Sequence, residues 1–311
     1  GVFMVQGVAR EPLTVGELHP LPDAGIELRE GDEILSIGGI AAPDADSGTT
    51  WSTFTEILPQ APVLDYRVRR DGQERTVSGP YPFPPYIYRV APRSAAMDID
   101  LRPGDVIVAV DGAPIHAFDQ LKQAVEASDG RALLLDVWRD GETLQFALAP
   151  RSTDEPTADG GFATQWRIGI AGGMAFDPAT ETAGPVAALV GGLSQTWAII
   201  KGSLSGLWHM VTGAISTCNI SGPIGIAETS GAMASQGAQS FISFIAVLST
   251  AVGLLNLFPV PALDGGHLMF YAYEAVAGKP PSDGVVRVLM AIGLTVILSL
   301  MVFALANDLL C

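Results

Sequence analysis

The sequence predicts a mixed fold: two tandem β-rich repeats, then an α-helical membrane region with two transmembrane helices. Three observations lead there. Residues 14–150 contain an internal repeat at an offset of 73, and a repeat has to be recognised before any fold is assigned. Two stretches towards the C-terminal end, 241–276 and 285–308, are long and apolar enough to enter a bilayer. The charge is also divided unevenly. Of a formal net charge of −16, residues 185–311 contribute only −2, from three basic and five acidic side chains, which leaves −14 in residues 1–184. The mean hydropathy of +0.34 is high for a wholly soluble chain. An acidic soluble region joined to a nearly uncharged membrane region fits these values, and no basic face is present for nucleic acid.

Taken in order, residues 1–8 (GVFMVQGV) are apolar and begin without methionine. They lack the basic start and small-residue cleavage site of a signal peptide. They read as an edge strand or as the tail of a membrane helix, and residues 1–13 are expected to be such a helix end and its connector. The repeat follows. Residues 28–39 (LREGDEILSIGG) match 101–112 (LRPGDVIVAVDG), and 63–77 (VLDYRVRRDGQERTV) match 134–148 (LLDVWRDGETLQFAL). The second block of each copy is two alternating strands around an Asp-Gly, Asp71-Gly72 and Asp140-Gly141, a strong short-range hairpin signal. Helix candidates lie between the blocks at 51–58 and 118–127. Each copy is therefore predicted as strand, Gly-Asp turn, strand, helix and hairpin, bounded at 14–80 and 81–150. The Pro-rich stretch 80–85 (PYPFPP) is expected to separate them as a stiff, extended linker.

Leu-x-x-Gly-Asp-x-Ile with a following Asp-Gly resembles the PDZ domain, so the copies are expected to be two tandem PDZ-like domains. The second matches better; the first has Gly38-Gly39 in place of Asp111-Gly112. The resemblance implies capture of a peptide by strand addition at a sheet edge. The plainer alternative is a pair of spacers or size filters.

Residues 151–161 (RSTDEPTADGG) are polar and rich in turn formers, and 151–184 are expected to be a linker and strand region. Residues 185–240 carry apolar residues at helical spacing (Leu189, Leu193, Trp197, Ile200, Leu204, Leu207, Val211 and Ile215). Gln195, Lys201, Ser205 and His209 interrupt that face, which suits amphipathic helices at the membrane surface better than a span. Residues 219–227 (NISGPIGIA) form a turn back towards the bilayer. The first span, 241–276, would reach about 54 Å as one helix at ~1.5 Å per residue, well beyond a ~30 Å hydrocarbon core. Residues 285–308 make the second span, with Asn307-Asp308 as its polar end.

The decisive stretch is 256–267 (NLFPVPALDGGH). An Asp within a membrane-length segment needs a partner or a metal and is a functional hypothesis by default. The prolines break the helix, and Gly265 and Gly266 allow a tight turn or close approach. Such backbone survives at membrane depth only when buried in protein or lining a polar cavity. An ordinary kink followed by an Asp-Gly turn remains the alternative. Asn-x-x-Pro-x-Pro-x-Leu-Asp-Gly-Gly resembles the second signature of the site-2 protease family of intramembrane zinc metalloproteases, in its bacterial regulator-of-sigma-E branch. Ser221-Gly222-Pro223-Ile224 is similar to a stretch that precedes the motif-bearing helix there. The resemblance implies that Asp264 is a Zn2+ ligand and that Asn256, Pro259 and Pro261 shape the substrate-facing loop. It also implies that residues 1–8 end an earlier transmembrane helix.

The family takes two further ligands and its general base from a His-Glu-x-x-His helix. That motif is absent: the histidines are His19, His116, His209 and His267, none in that register. His19 and His116 read as loop residues, His209 as a surface or packing residue, and His267 as a polar residue of the bundle. Cys218 and Cys311 form no thiolate motif. The sequence is thus read as the C-terminal portion of an intramembrane protease whose catalytic base lies upstream. The resemblance implies a trimmed transmembrane anti-sigma factor as substrate, a trimmed terminus at the PDZ-like domains, and the bacterial inner membrane with those domains outside. Alternatives are a membrane-anchored PDZ scaffold without chemistry and a transporter or channel component.

Overall fold

Each sequence repeat folds into a four-stranded antiparallel sheet. The computed structural model describes residues 8–22, 25–43, 50–157, 161–181, 184–213 and 222–310. They fall into two compact units, 1–155 with 163–188, and 156–162 with 189–311. In the first unit the chain runs β1 (Val8–Ala9), β2 (Val15–Leu18), β3 (Glu33–Ile37), β4 (Ile40–Ala41), α1 (Trp51–Ile57), β5 (Val63–Arg70) and β6 (Gln73–Pro80). The second repeat gives β7 (Ile87–Val90), α2 (Ala95–Asp98), β8 (Val106–Val110), β9 (Ala113–Pro114), α3 (Phe118–Ala127), β10 (Leu133–Arg139) and β11 (Glu142–Leu148). Strand order is β4-β3-β5-β6 in the first sheet and β9-β8-β10-β11 in the second, the same arrangement twice.

The turns explain where the copies differ in sequence. Gly38-Gly39 and Asp111-Gly112 both hold positive φ at both residues (59° and 81°, 49° and 77°), as do the two Asp-Gly hairpin turns. That geometry admits Gly or Asp at the first position, so Gly-Gly serves as well as Asp-Gly. Core volume is traded between strands in the same way. Tyr66, fully buried in β5, lies so close to Gly79 of β6 that a Cβ there would sit 2.5 Å from its ring. The second copy uses two buried leucines instead, Leu135 on β10 and Leu148 on β11.

One buried ion pair recurs in both copies. The Asp32 carboxylate, with no exposed surface, accepts from Arg70 Nε and Nη2, both at 2.6 Å, and from the Arg29 backbone N–H at 2.9 Å. Asp105 accepts from Arg139 Nε and Nη2 at 2.6 and 2.7 Å and from the Arg102 N–H at 2.8 Å. Each arginine also donates to a carbonyl of the preceding loop, Glu27 or Asp100. The Gly-Asp of the repeat is therefore a clamp between loop and hairpin.

The Pro-rich stretch, expected as a stiff, extended linker, is packed into the first unit: Tyr81, Pro82, Pro84 and Pro85 are buried. The carbonyls of Pro82, Phe83 and Pro85 accept from Ala175, Phe118 and Ile107, each at 2.9 Å. Proline has no N–H to leave orphaned, so an extended Pro-rich segment can be buried once its carbonyls are met. Residues 151–184, expected to be a linker and strand region, are mainly strand. They form β12 (Arg151–Pro156), β13 (Phe162–Arg167), β14 (Ile170–Gly172), β15 (Phe176–Pro178) and β16 (Thr180–Glu181). β12 pairs with β13, while β14 pairs with β7, β15 with β2 and β16 with β1. One strap thus completes both repeats, with Ala175 and Phe176 fully buried in the core of the first and Ile168 in that of the second.

The second unit is helical: α4 (Pro185–Val211), α5 (Pro223–Ser235), α6 (Ala238–Asn256), α7 (Asp264–Ala277) and α8 (Asp283–Leu310). Among the described residues, α6 and α8 are long and apolar enough to cross a membrane. The segment 241–276 is two helices, α6 and α7, broken at the prolines as the sequence indicates. α7, with 14 residues, is about 21 Å long at ~1.5 Å per residue and too short to span alone. α4 is one 27-residue helix whose apolar face, including Leu189, Leu193, Trp197 and Leu204, is exposed. His209 makes a 2.8 Å contact from Nδ1 to the Ser205 carbonyl. Residues 1–7, 214–221 and 311 lie outside the described residues, and with them most of the expected N-terminal helix end, the start of the Ser-Gly-Pro-Ile turn and both cysteines.

Burial pushes the Asp32 carboxyl up, but the Arg70 and Arg29 hydrogen bonds outweigh it, and it stands below the ordinary value of 3.8. A folded value below the unfolded one contributes stability above the unfolded pKa and loses it as pH falls through the folded pKa. Unfolding of the first unit, followed by circular dichroism across pH, is expected to show this contribution intact above 3.8 and failing only below it. Arg70→Ala strands a buried carboxylate and is expected to cost about 3–5 kcal/mol near neutral pH. A cost below about 1 kcal/mol would match a surface pair instead.

Candidate active site

The loop 257–263 joins α6 to α7 and carries every residue expected at the site except Asn256, the last residue of α6, and Asp264, the first of α7. α6 ends by tightening: Leu257 and Phe258 donate to Leu254 and Leu255 at 3.1 Å. Pro259 and Pro261 bring no donors. The Val260 N–H meets the Phe258 carbonyl at 2.7 Å, and the Leu263 N–H meets Val260 at 2.8 Å. The break therefore satisfies these backbone groups within itself, which is what a membrane interior requires of irregular chain.

The loop then folds back on the first turn of α7. A Cβ on Gly265 would overlap the Leu257 and Phe258 carbonyls, and one on Gly266 would overlap Val260 and Pro261. Both glycines are buried, so they are required by contact with the loop. The far side of the loop rests on α8, where a Cβ on Gly293 would lie 2.9 Å from the Ala262 nitrogen and 3.3 Å from Pro261 Cδ. Three glycines from two helices thus press the loop into one shape.

That shape presents Asp264 at the head of α7, its side chain exposed. A carboxylate in the first turn of a helix is favourably placed against the helix dipole. Asn256 is half-buried one loop away. His267 is exposed and meets Phe270 edge-on at 6.0 Å. Among the described residues no three His, Cys, Asp or Glu side chains form a group able to hold a metal. Pro259 and Pro261 line a mainly apolar cleft of about 670 Å3 with Phe270, Tyr273, Pro280 and Leu289; Asn256 and Asp264 do not line it.

A second groove lies in the first unit, between α3 and the strap. Phe118, Leu121, Val125, Ile168 and Ile170 line a cleft of about 260 Å3. Among the described residues β14 is paired on one side, with β7. Arg167 closes one end: it donates to Glu155 at 2.7 and 2.6 Å and to Glu126 at 2.7 Å. Hydrogen bonding from Arg167 holds the Glu155 carboxyl below the usual range. The repeat pattern ended at Leu148 and so did not point to this half of the groove. Ile168-Gly169-Ile170, alternating beside a pressed glycine, was the available signal. A Cβ on Gly169 would overlap Ser94 of the second repeat.

Comparisons with known proteins agree with the motif. The sequence model of Peptidase family M50 matches residues 4–300. A protein named as a zinc metalloprotease in Rhizobium meliloti (strain 1021) is 38% identical over 225 residues, covering 72% of this chain and 60% of its own length. The regulator of sigma-E protease RseP of Escherichia coli (strain K12) is 36% identical over 336 residues, covering 99% of this chain and 73% of its own. The chain therefore spans 60–73% of these relatives. A solved PDZ domain of a Listeria monocytogenes protein covers 28% of this chain at 17% identity and TM-score 0.23, too slight a likeness to argue from.

Gly265→Ala and Gly266→Ala are each expected to destabilise the helical unit by about 1–3 kcal/mol, the usual cost of overpacking. Gly253→Ala, on open surface of α6, is the control. Thermal unfolding in detergent tests this. Equal melting of all three variants would mean that the loop is not pressed against α7.

Proposed function

The chain belongs to peptidase family M50, and from that premise we propose that it is the C-terminal part of an intramembrane zinc protease of the site-2 type. The observation that supports this best is the break itself: Asp264 stands at a helix head inside a membrane-length segment, held by a loop that the glycines leave no freedom. Its exposed carboxylate is a suitable zinc donor. His-Glu-x-x-His does not occur in residues 1–311, so the other two ligands and the general base would come from the part of the full-length protein outside this chain. Bound zinc with an open fourth position would acidify its water and polarise the scissile carbonyl.

The chain's own residues would manage the substrate. A helix must unwind before its peptide bonds can be reached, and unwinding exposes backbone groups that need partners. The Asn256 amide offers a donor and an acceptor beside the metal ligand. Pro259 and Pro261 would keep the loop extended along the apolar cleft, where a substrate strand could lie. The substrate proposed is a transmembrane anti-sigma factor already trimmed outside the membrane. The first unit would act as the filter, taking the trimmed terminus by pairing at the free edge of β14 beside α3. On this reading the protein would lie in the bacterial inner membrane with its acidic unit outside, which is compatible with the positive-inside rule.

Asp264→Asn in the full-length protein is expected to abolish zinc retention and reduce cleavage of a trimmed transmembrane reporter at least about 100-fold. Asn256→Ala is expected to keep zinc and lose about 10- to 100-fold in cleavage, the value of one or two buried hydrogen bonds to substrate. Cleavage unaffected by Asp264→Asn would remove Asp264 from the metal site, and a full-length parent that cleaves nothing would leave a membrane-anchored scaffold as the better account.

A further inference from the structure

The last helix carries a carboxylate with an unexpected task. Asp308 lies in the final turn of α8, where an anion is disfavoured by that helix's own dipole. Its Oδ1 accepts from the Gly222 N–H at 2.9 Å, and its Oδ2 from the Ile224 and Gly225 N–H groups at 3.0 and 3.1 Å. These are the orphan donors at the head of α5. Pro223, between them, is the one residue with no N–H to satisfy, as suits the first helical position. Asp308 therefore supplies, from more than 80 residues away, the cap that α5 lacks locally; Gly222 has no side chain to offer. Nor could it carry one, because a Cβ there would lie 2.5 Å from Asp308 Oδ2 and 2.7 Å from the Ala304 carbonyl. The head of α5 rests directly on the backbone of α8.

The contact closes a ring. α5 packs against both α6 and α8. α6 runs into the loop that presents Asp264. The loop rests on Gly293 of α8. Gly293 and Asp308 are 15 positions apart on one helix, about 22 Å. α8 is thus fixed at one end by its own carboxylate on the N–H groups of α5 and bears on the loop at the other. Charge-assisted hydrogen bonds in a low-dielectric setting are strong and directional, so the carboxylate sets where α8 stands along and around its axis.

We infer that Asp308 is a positioning residue: it locks α8 to the head of α5, and through Gly293 it holds the loop between Asn256 and Asp264 in its working shape. The brace stands on the geometry alone; its consequence for catalysis rests on the protease reading.

The test uses full-length protein with Cys218→Ser and Cys311→Ser, and reads the loop through the maleimide reactivity of the thiol introduced by Ala262→Cys. Asp308→Ala is expected to raise that rate at least fivefold and to lower kcat about tenfold, with KM and zinc content within twofold of the parent. Asp308→Asn keeps an acceptor oxygen without the charge and should fall between. It also supplies both readouts if the alanine variant does not fold. Maleimide rates unchanged in the folded variants would overturn the brace. Faster labelling with unchanged kcat would overturn the catalytic role. Faster labelling in a protein whose parent cleaves nothing would support the brace and remove the protease reading.

Discussion

A helix interrupted at membrane depth must find partners for the backbone groups it frees, and the second unit is arranged around that requirement. Between Asn256 and Asp264 the chain meets it by local means. Two prolines remove donors, and short turns absorb the amides of Val260 and Leu263. Glycines then bring neighbouring backbone close enough to exclude other occupants. Without a hydrophobic drive between helices in lipid, close approach at small residues is the main source of specificity. Gly265, Gly266 and Gly293 fill that role here. Their side-chain-free surfaces, more than any attractive pair, fix where Asp264 points.

The first unit solves a different problem. Two short sheets cannot each bury enough apolar surface to be secure alone. The strap answers this by adding a strand beside β7 and another beside β2, and by sending Phe176 and Ile168 into the two cores. The buried Pro-rich segment joins them from within. The Asp–Arg clamps also specify the register, because a wrong register would leave a buried charge unpaired. The groove beside α3 is accordingly built from the second repeat on one side and from the strap that follows it on the other.

Much of this was legible. The offset of 73 announced two like sheets, because hairpin turns and the Gly-Asp clamp demand particular residues at particular spacings. Asp71-Gly72 and Asp140-Gly141 are positive-φ turns as expected. The loop of Asn256, Pro259, Pro261 and Asp264 stood out for the same reason: few residue types can break a membrane helix and hold a carboxylate. Two features were not legible. The burial of Pro82, Pro84 and Pro85 depends on carbonyl partners far along the chain. The completion of both repeats by residues 168–181 falls outside the repeated pattern. The break between α6 and α7, by contrast, was announced by Pro259 and Pro261 although apolar composition continues across it.

The residues that were missed share a property. Asp308, Gly222, Gly293 and Arg167 are defined by a distant partner and not by their neighbours in sequence. Asp308 read as the polar end of a span, which is what an Asp after 20 apolar residues usually is. What distinguishes it is the exposed head of α5, and that head lacks a cap because Gly222 must stay bare against Ala304. The two oddities explain each other: a glycine where a Ser or Asp would normally cap, and an Asp where a Lys would normally sit. Each is locally unfavourable and neither has a reason alone. Their pairing is the signature of a tertiary contact, and it ties the end of the chain to the loop on which the proposed chemistry depends.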